Sequence, residues 1–382
     1  MKVGISAYAT DSGKSGISQY VANIVGRLPK LAPAHEFVVF VNRADADWVR
    51  SWHPRLEVAT FPDWTAKPVA SIFWHLMAFP GQLRRHGCDL VFMPAGNRRL
   101  GWRYGIPSVG TVHDLSQLHV PQKYDALRMF YIMRVLPRMM RRLTRVISVS
   151  ESTRRDLESF ARVDHGRIRV IHNGADLERF TTRDRDAAKS AITAALGLPR
   201  DFVLYIARLE HPGKNHVRLL EAFAALKRDT ALPHKLVLVG SRWSGAELID
   251  AKVKELGLES VVIFPGFVPN ETLPSLYTAA DAFVFPSLFE GFGIPVLEAL
   301  ACAVPVVTSN VSSLPEVAGD AALLVDPTDA AAIQRALEAA LGDTATRERL
   351  QALGPPQARR FDWRLTAAAT RSFYDQVAAP SG

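Results

Sequence analysis

In the second half of this 382-residue sequence, two cations and two carboxylates stand where they could handle a charged ligand. Arg208 closes the apolar run FVLYIAR, and Lys214 follows in the turn HPGKNH just ahead of the helical pattern HVRLLEAF. A diphosphate leaving group gains negative charge as its bond to a sugar breaks, and two fixed cations in a partly dehydrated site stabilise that charge without a metal ion. The bland alternative is a surface Arg and Lys beside a turn. Further along, FPSLFEGFGIPVLEALA carries Glu290 and Glu298. Pro295 suits the first turn of a helix, where its missing N–H would be an orphan donor anyway, so a helix is predicted to start near Ile294. Gly291 and Gly293 let the backbone approach a ligand closely, leaving the amides of Phe292, Gly293 and Ile294 to face phosphate oxygens or sugar hydroxyls. The acid and nucleophile of a glycosidase would need carboxylates about 5 to 9.5 Å apart. Eight residues of helix rise about 12 Å, which argues only weakly against a hydrolytic pair because Glu290 precedes the helix, while the free amides of the loop favour a bound nucleotide sugar.

In the first half, ATDSGKSGISQY follows an apolar strand pattern and leads into the helical VANIVGRL. Free amides and the macrodipole make a helix N-terminus attractive to anions. Gly13-Lys14-Ser15 suggests a P-loop, but Tyr8 occupies the position where that motif requires a glycine. A turn capped near Ser15 or Gly16 is the better reading.

Parallel sheets must position these residues. Short runs rich in Val and Ile (KVGISAY, EFVVFVN, CDLVFMP, IPSVGTVHD, RVISVSES and RIRVIHNG) alternate with helical patterns, and a second series follows with DFVLYIAR, KLVLVG, SVVIFPG, DAFVFPS, VPVVTS and AALLVDP. Such alternation marks βα units on a sheet buried on both faces. The expected organisation is an acceptor-side Rossmann-like domain over 1–180 and a nucleotide-sugar domain over 181–362. The helix of 363–382 is expected to cross back to the first domain, and the polar stretch 176–199 is read as the hinge. Open parallel sheets bind ligands at the carboxyl ends of their strands, so two facing sheets would make an interdomain cleft.

Hydrophobic content of 48% and charged content of 22% describe an ordinary globular chain. Its two cysteines, Cys88 and Cys302, read as buried thiols of a reducing compartment. The N-terminus is interrupted by Asp11 and Lys14 before a signal peptide can develop, and no apolar run reaches spanning length. A cytoplasmic protein is expected. The net charge of +8 is concentrated between Arg128 and Arg145, without the signatures of a nucleic-acid module. Arg134, Arg138, Arg141, Arg142 and Arg145 recur at helical spacing around the expected kink at Pro137, close to the uncharged VASIFWHLMAFPGQL. Two sheet-covering helices are one reading. Peripheral attachment to anionic lipid on the inner face of the plasma membrane is the other.

Taken together, EGFGIPVLEA from Glu290, Arg208 with Lys214, TVHDLS around His113, SVSESTRRDL from Ser148 and IHNGADLERF from Ile171 resemble family 4 of the glycosyltransferases, which have the GT-B fold. The resemblance implies that Arg208 and Lys214 hold the donor diphosphate, that Glu290 touches hydroxyls of the transferred sugar and that Glu298 grips the ribose. Backbone near Val268 would meet the base, His113 would lie near the donor sugar and acceptor, and Gly16 would belong to the glycine-rich loop. Ser18 departs from the pattern where many members have a further glycine turn. The implied activity is a metal-free, cofactor-free, retaining transfer of a hexose from a GDP- or UDP-sugar, with a lean towards GDP-mannose. The acceptor would be a glycan or polyprenyl-diphosphate-linked glycan, in cell-surface polysaccharide synthesis. The implied mechanism is same-face attack, with the departing diphosphate taking the acceptor proton. The acidic triplets Asp45-Ala46-Asp47 and Asp184-Arg185-Asp186 are not placed for a metal site. Rival readings are a nucleotide-sugar epimerase and a non-catalytic sugar-nucleotide-binding scaffold.

Overall fold

The computed structural model describes residues 1–8, 10–13, 15–96, 99–120 and 129–378. Lys14 and Arg128 lie outside them. The chain divides into two compact units, Met1–Gly174 with Trp363–Gly382, and Ala175–Asp362.

The first unit is built on a seven-stranded sheet. Its strands are β1 (Lys2–Ser6), β2 (Glu36–Asn42), β3 (Leu56–Phe61), β4 (Leu90–Met93), β5 (Ser108–Val112), β6 (Arg145–Ser148) and β7 (Ile168–Val170). They lie in the order β3-β2-β1-β4-β5-β6-β7, and every pairing is parallel. The reversal of order at β1/β4 is the switch point where such sheets take ligands. The C-terminal helix Trp363–Ala378 belongs to this unit: Trp363 meets Tyr20, Tyr374 meets Phe92, and the Thr366 hydroxyl donates to the His172 carbonyl at 2.8 Å.

One face of the sheet is covered by two interrupted helices. The first runs Pro68–Phe73, a π turn Trp74–Ala78, then Phe79–Arg85; the second has a π turn Tyr131–Val135 followed by Leu136–Met140. Each π turn precedes a proline, Pro80 or Pro137, and contains the residue four positions before it. A proline cannot donate to that carbonyl and its ring crowds it, so the wider turn absorbs the conflict that would otherwise kink the helix. Trp74, Phe79, Leu83, Leu136, Met139 and Leu143 are buried in one cluster beneath these helices. The basic face expected along the second helix is narrower than its sequence suggests. Arg141 turns inward and donates to the Ala161 carbonyl at 2.9 Å, and Arg145 donates to the Thr144 carbonyl at 3.0 Å. Arg134, Arg138 and Arg142 remain exposed.

The second unit holds β8 (Phe202–Ile206), β9 (Lys235–Val239), β10 (Val262–Gly266), β11 (Ala282–Phe285), β12 (Val306–Ser309) and β13 (Ala322–Val325) in the parallel order β10-β9-β8-β11-β12-β13. Its switch point is β8/β11. The polar stretch 176–199 carries the helix Arg185–Leu196, which Asp184 caps and which Arg185 and Lys189 tie to Asp281 at 2.6 and 2.9 Å. Asp45 in the other acidic triplet accepts hydrogen bonds from the hydroxyls of Thr10 and Ser12. Both cysteines are buried free thiols.

Candidate active site

In the second unit, the residues singled out from the sequence come from the carboxyl ends of adjacent strands. Arg208 follows β8 and lies between the Glu210 carboxylate, at 3.1 Å, and the Trp243 ring, at 5.1 Å from its centroid. Lys214 pairs with Glu290, Nζ to Oε1 at 2.6 Å, and both side chains are largely shielded. This pair spans the switch point, because Lys214 belongs to the loop after β8 and Glu290 to the loop after β11.

Each loop is fastened from below. The Lys214 carbonyl accepts from the Tyr205 hydroxyl at 2.8 Å, and the Gly213 carbonyl from the Leu288 amide at 3.0 Å. Asn215 adopts a left-handed conformation with φ 59° and donates its side-chain amide to the carbonyls of Pro286 and Pro327 at 2.8 and 2.7 Å. On the other side, Ser312 accepts from the Glu290 amide at 3.1 Å, and Ser313 donates to the carbonyls of Glu290 and Phe292 at 2.9 and 2.8 Å.

The helix Ile294–Ala301 begins where Pro295 suggested. Gly293 has φ 110°, and a Cβ there would come within 2.7 Å of Leu314. The amides of Gly293 and Ile294 make no hydrogen bond to a described residue, whereas Phe292 is buried against Phe361. One turn along the helix, Glu298 accepts from the Tyr277 hydroxyl at 2.9 Å. Val268, after β10, is buried, and its backbone amide and carbonyl make no hydrogen bond to a described residue. Gly240, after β9, closes the gap: a Cβ there would sit 1.9 Å from the Ala207 carbonyl, so only glycine lets this strand end lie against the backbone that leads to Arg208.

Burial pushes the Glu298 carboxyl up to about 7, against the opposing pull of the Tyr277 hydroxyl and of Arg179. A folded-state value above the 4.5 of an unburied glutamate means that the native state holds the extra proton between those pH values, so this group's contribution to stability falls as pH rises through the window. Glu298→Gln cannot ionise. Its stability relative to wild type should therefore improve from pH 5 to pH 8, by about 1 to 3 kcal/mol, as read from urea unfolding at both pH values. A difference independent of pH would show that the carboxyl titrates normally.

In the first unit, His113 follows β5, is buried, packs edge-on to Tyr20 at 4.7 Å and places Nε2 2.7 Å from the Pro94 carbonyl in the loop after β4. Gly16 opens the helix Gly16–Val25, which Ser15 caps, and a Cβ at Gly16 would meet nothing within 4 Å. Ser18 completes a reciprocal capping box with Ser15 and donates to Asp11 at 2.7 Å, so the departure from the glycine pattern serves to fix this turn. Both positions lie at the carboxyl edge of the first sheet.

Beyond Arg208 and Lys214, the loop after β8 was not singled out in the sequence, and neither were the Asn215 lock, Gly240, Trp243, Tyr277 and the Ser312-Ser313 brace. An Asn between a lysine and a helix start was the one available signal, since Asn tolerates the left-handed region.

Two family models match the chain, Glycosyltransferase Family 4 over residues 14–179 and Glycosyl transferases group 1 over residues 190–355. O-antigen chain mannosyltransferase B of Escherichia coli is 34% identical over 278 residues, covering 70% of this chain and 70% of that protein. The chain is a family 4 glycosyltransferase. This glycosyltransferase is also 31% identical over 283 residues to the serotype-specific mannosyltransferase WbdA of Escherichia coli, covering 72% of this chain but only 34% of that longer protein. Sucrose-phosphate synthase from Thermosynechococcus elongatus matches it with a TM-score of 0.79 at 23% identity, over 100% of both chains. The GT-B fold expected from the sequence is the fold observed. Among the described residues, no helix is long and apolar enough to cross a membrane and no group of three or more His, Cys, Asp or Glu side chains is placed to hold a metal ion.

Proposed function

We propose that this glycosyltransferase moves mannose from GDP-mannose, with retention and without a metal ion, to a glycan or lipid-linked acceptor in cell-surface polysaccharide synthesis. The observation that carries the reading is the Lys214–Glu290 pair across the β8/β11 switch point of the second sheet, with Arg208 following the same strand β8. Cations on one side and free amides at a helix start on the other suit a diphosphate and the sugar it carries. Val268 offers an unpaired backbone edge to the base, and Glu298 a carboxylate to the ribose. The mannosyltransferase names of the relatives favour mannose.

Binding of donor to the folded state raises the melting temperature. In a thermal-shift panel of GDP- and UDP-sugars, GDP-mannose should give the largest shift, and EDTA should leave it unchanged. A shift that EDTA abolishes would overturn the metal-free reading. A larger shift with a UDP-sugar would reassign the donor. Radiolabelled donor then separates transfer to an acceptor from epimerisation of the free sugar nucleotide.

The acceptor side of the reading includes contact with anionic membrane. Val69, Phe73 and Met77 recur every four residues on the first interrupted helix and are 66%, 62% and 80% exposed. Arg134 and Arg138 recur at the same spacing on the second, and Arg142 continues it in the turn beyond. No Asp or Glu occurs from Trp64 to Cys88 or from Met129 to Ser150. An inserted CH₂ contributes roughly 0.8 kcal/mol and a basic residue near an anionic surface roughly 1 kcal/mol. Phe73→Ser with Met77→Ser, and separately Arg134→Glu with Arg138→Glu, should each weaken binding to phosphatidylglycerol vesicles about tenfold or more. Turnover of a soluble acceptor analogue should stay at the wild-type rate. Unchanged vesicle sedimentation at low salt would return both stripes to ordinary surface.

A further inference from the structure

At the opposite edge of the first sheet, the amino ends of β5 and β6 border a cavity of about 750 Å³. Three arginines line it from three segments: Arg84 from the end of the helix Phe79–Arg85, Arg103 from the loop before β5, and Arg142 from the turn before β6. Met139 and Leu143, both buried, form part of its lining. The loop is held in shape by the Gly101 amide, which donates to the Tyr104 hydroxyl oxygen at 2.5 Å. Its Trp102 ring stacks on Arg142 with the guanidinium carbon 3.9 Å from the ring centroid. Such stacking fixes the plane of the fork and leaves its N–H edges for another partner.

Among the described residues, no acidic side chain lines this cavity. None of the three arginines forms an ion pair among the described residues, and Leu90–His113 contains no Asp or Glu. Three arginines lining one cavity without a described counter-charge match the chemistry of a phosphate, whose oxygens accept paired N–H donors. The site is separate from the carboxyl edge that carries His113, because the five residues of β5 lie between them, about 16 Å of extended chain.

We propose that this cavity is a second anion site, which binds a phosphate or diphosphate group carried either by a lipid headgroup or by a soluble phosphoester. The proposal does not depend on the donor site. It is tested by calorimetric titration of inorganic pyrophosphate into full-length protein carrying Arg208→Ala and Lys214→Ala, so that the proposed donor cradle does not contribute. Adding Arg84→Gln, Arg103→Gln and Arg142→Gln should weaken pyrophosphate binding at least tenfold. The charge-matched control, Arg85→Gln, Arg134→Gln and Arg138→Gln, removes three exposed arginines that do not line the cavity and should change it less than threefold. Equal loss in both sets, or no loss in the cavity set, would overturn the site. With the same Arg208→Ala, Lys214→Ala protein, release of phosphatidylglycerol vesicles by pyrophosphate supports the site and assigns it to a lipid headgroup. Pyrophosphate binding with the vesicles retained supports it and assigns a soluble phosphoester.

Discussion

Lys214→Ala should fold normally and transfer sugar about 100-fold to 1,000-fold more slowly, a loss of roughly 3 to 4 kcal/mol of transition-state stabilisation. The lysine is half of a shielded pair with Glu290, 2.6 Å apart, at the proposed position of the departing diphosphate. A cation aimed at charge that develops only during bond cleavage acts chiefly on kcat, so the Michaelis constant for donor should move much less. Arg208→Lys is the companion test. A compact ammonium cannot reproduce a planar fork held between the Glu210 carboxylate and the Trp243 ring, and partial activity at best is expected. Steady-state transfer to a defined acceptor, with circular dichroism to verify each fold, checks both. A folded Arg208→Ala, Lys214→Ala protein with near wild-type kcat would remove the central support for the donor site.

Glu290→Gln preserves shape and volume but replaces one acceptor oxygen with a donor and discharges the partner of Lys214. If Glu290 receives hydroxyls of the transferred sugar, kcat/KM should fall about 100-fold while affinity for the bare nucleoside diphosphate stays within about threefold, because only the sugar contact is lost. The double variant with Lys214→Ala should lose far less than the product of the single losses, since two groups in contact do not act independently. Calorimetry with the nucleoside diphosphate and kinetics with the intact donor separate the two quantities. Equal losses in both would mean that the substitution disturbs the loop held by Ser312 and Ser313, rather than a sugar contact.

How far the sequence carried these expectations depended on whether the information was local. The six strands of the second sheet could be read because each holds a continuous apolar run, buried in the central strands and partly exposed at the edges β10 and β13. In the first sheet β3 escaped notice: LEVATF is an edge strand with half-exposed positions, and its pattern is too weak to stand out. The start of the helix at Ile294 could be read from Pro295, a residue whose preference is local. The supports of the site could not. Asn215 reaches Pro327 across 112 positions, and Ser313 holds Glu290 from 23 positions away, so neither neighbourhood announces its role. The arginine run misled for a related reason. Spacing places Arg141 on a helix, but only the packed structure shows that it bonds to the Ala161 carbonyl instead of facing solvent.

The assignment of Trp363–Ala378 to the first unit makes the second unit a contiguous insert within the first. The two ends of that insert meet one another, since the Ala175 amide donates to the Phe361 carbonyl at 3.0 Å and Ala175 pairs with Asp362. The half that carries the proposed donor site is therefore a portable cassette with a single stitched seam. Exchanging Ala175–Asp362 for the matching stretch of a relative would import that relative's donor choice whole. Cutting the chain after Asp362, by contrast, would injure the half that precedes the cassette.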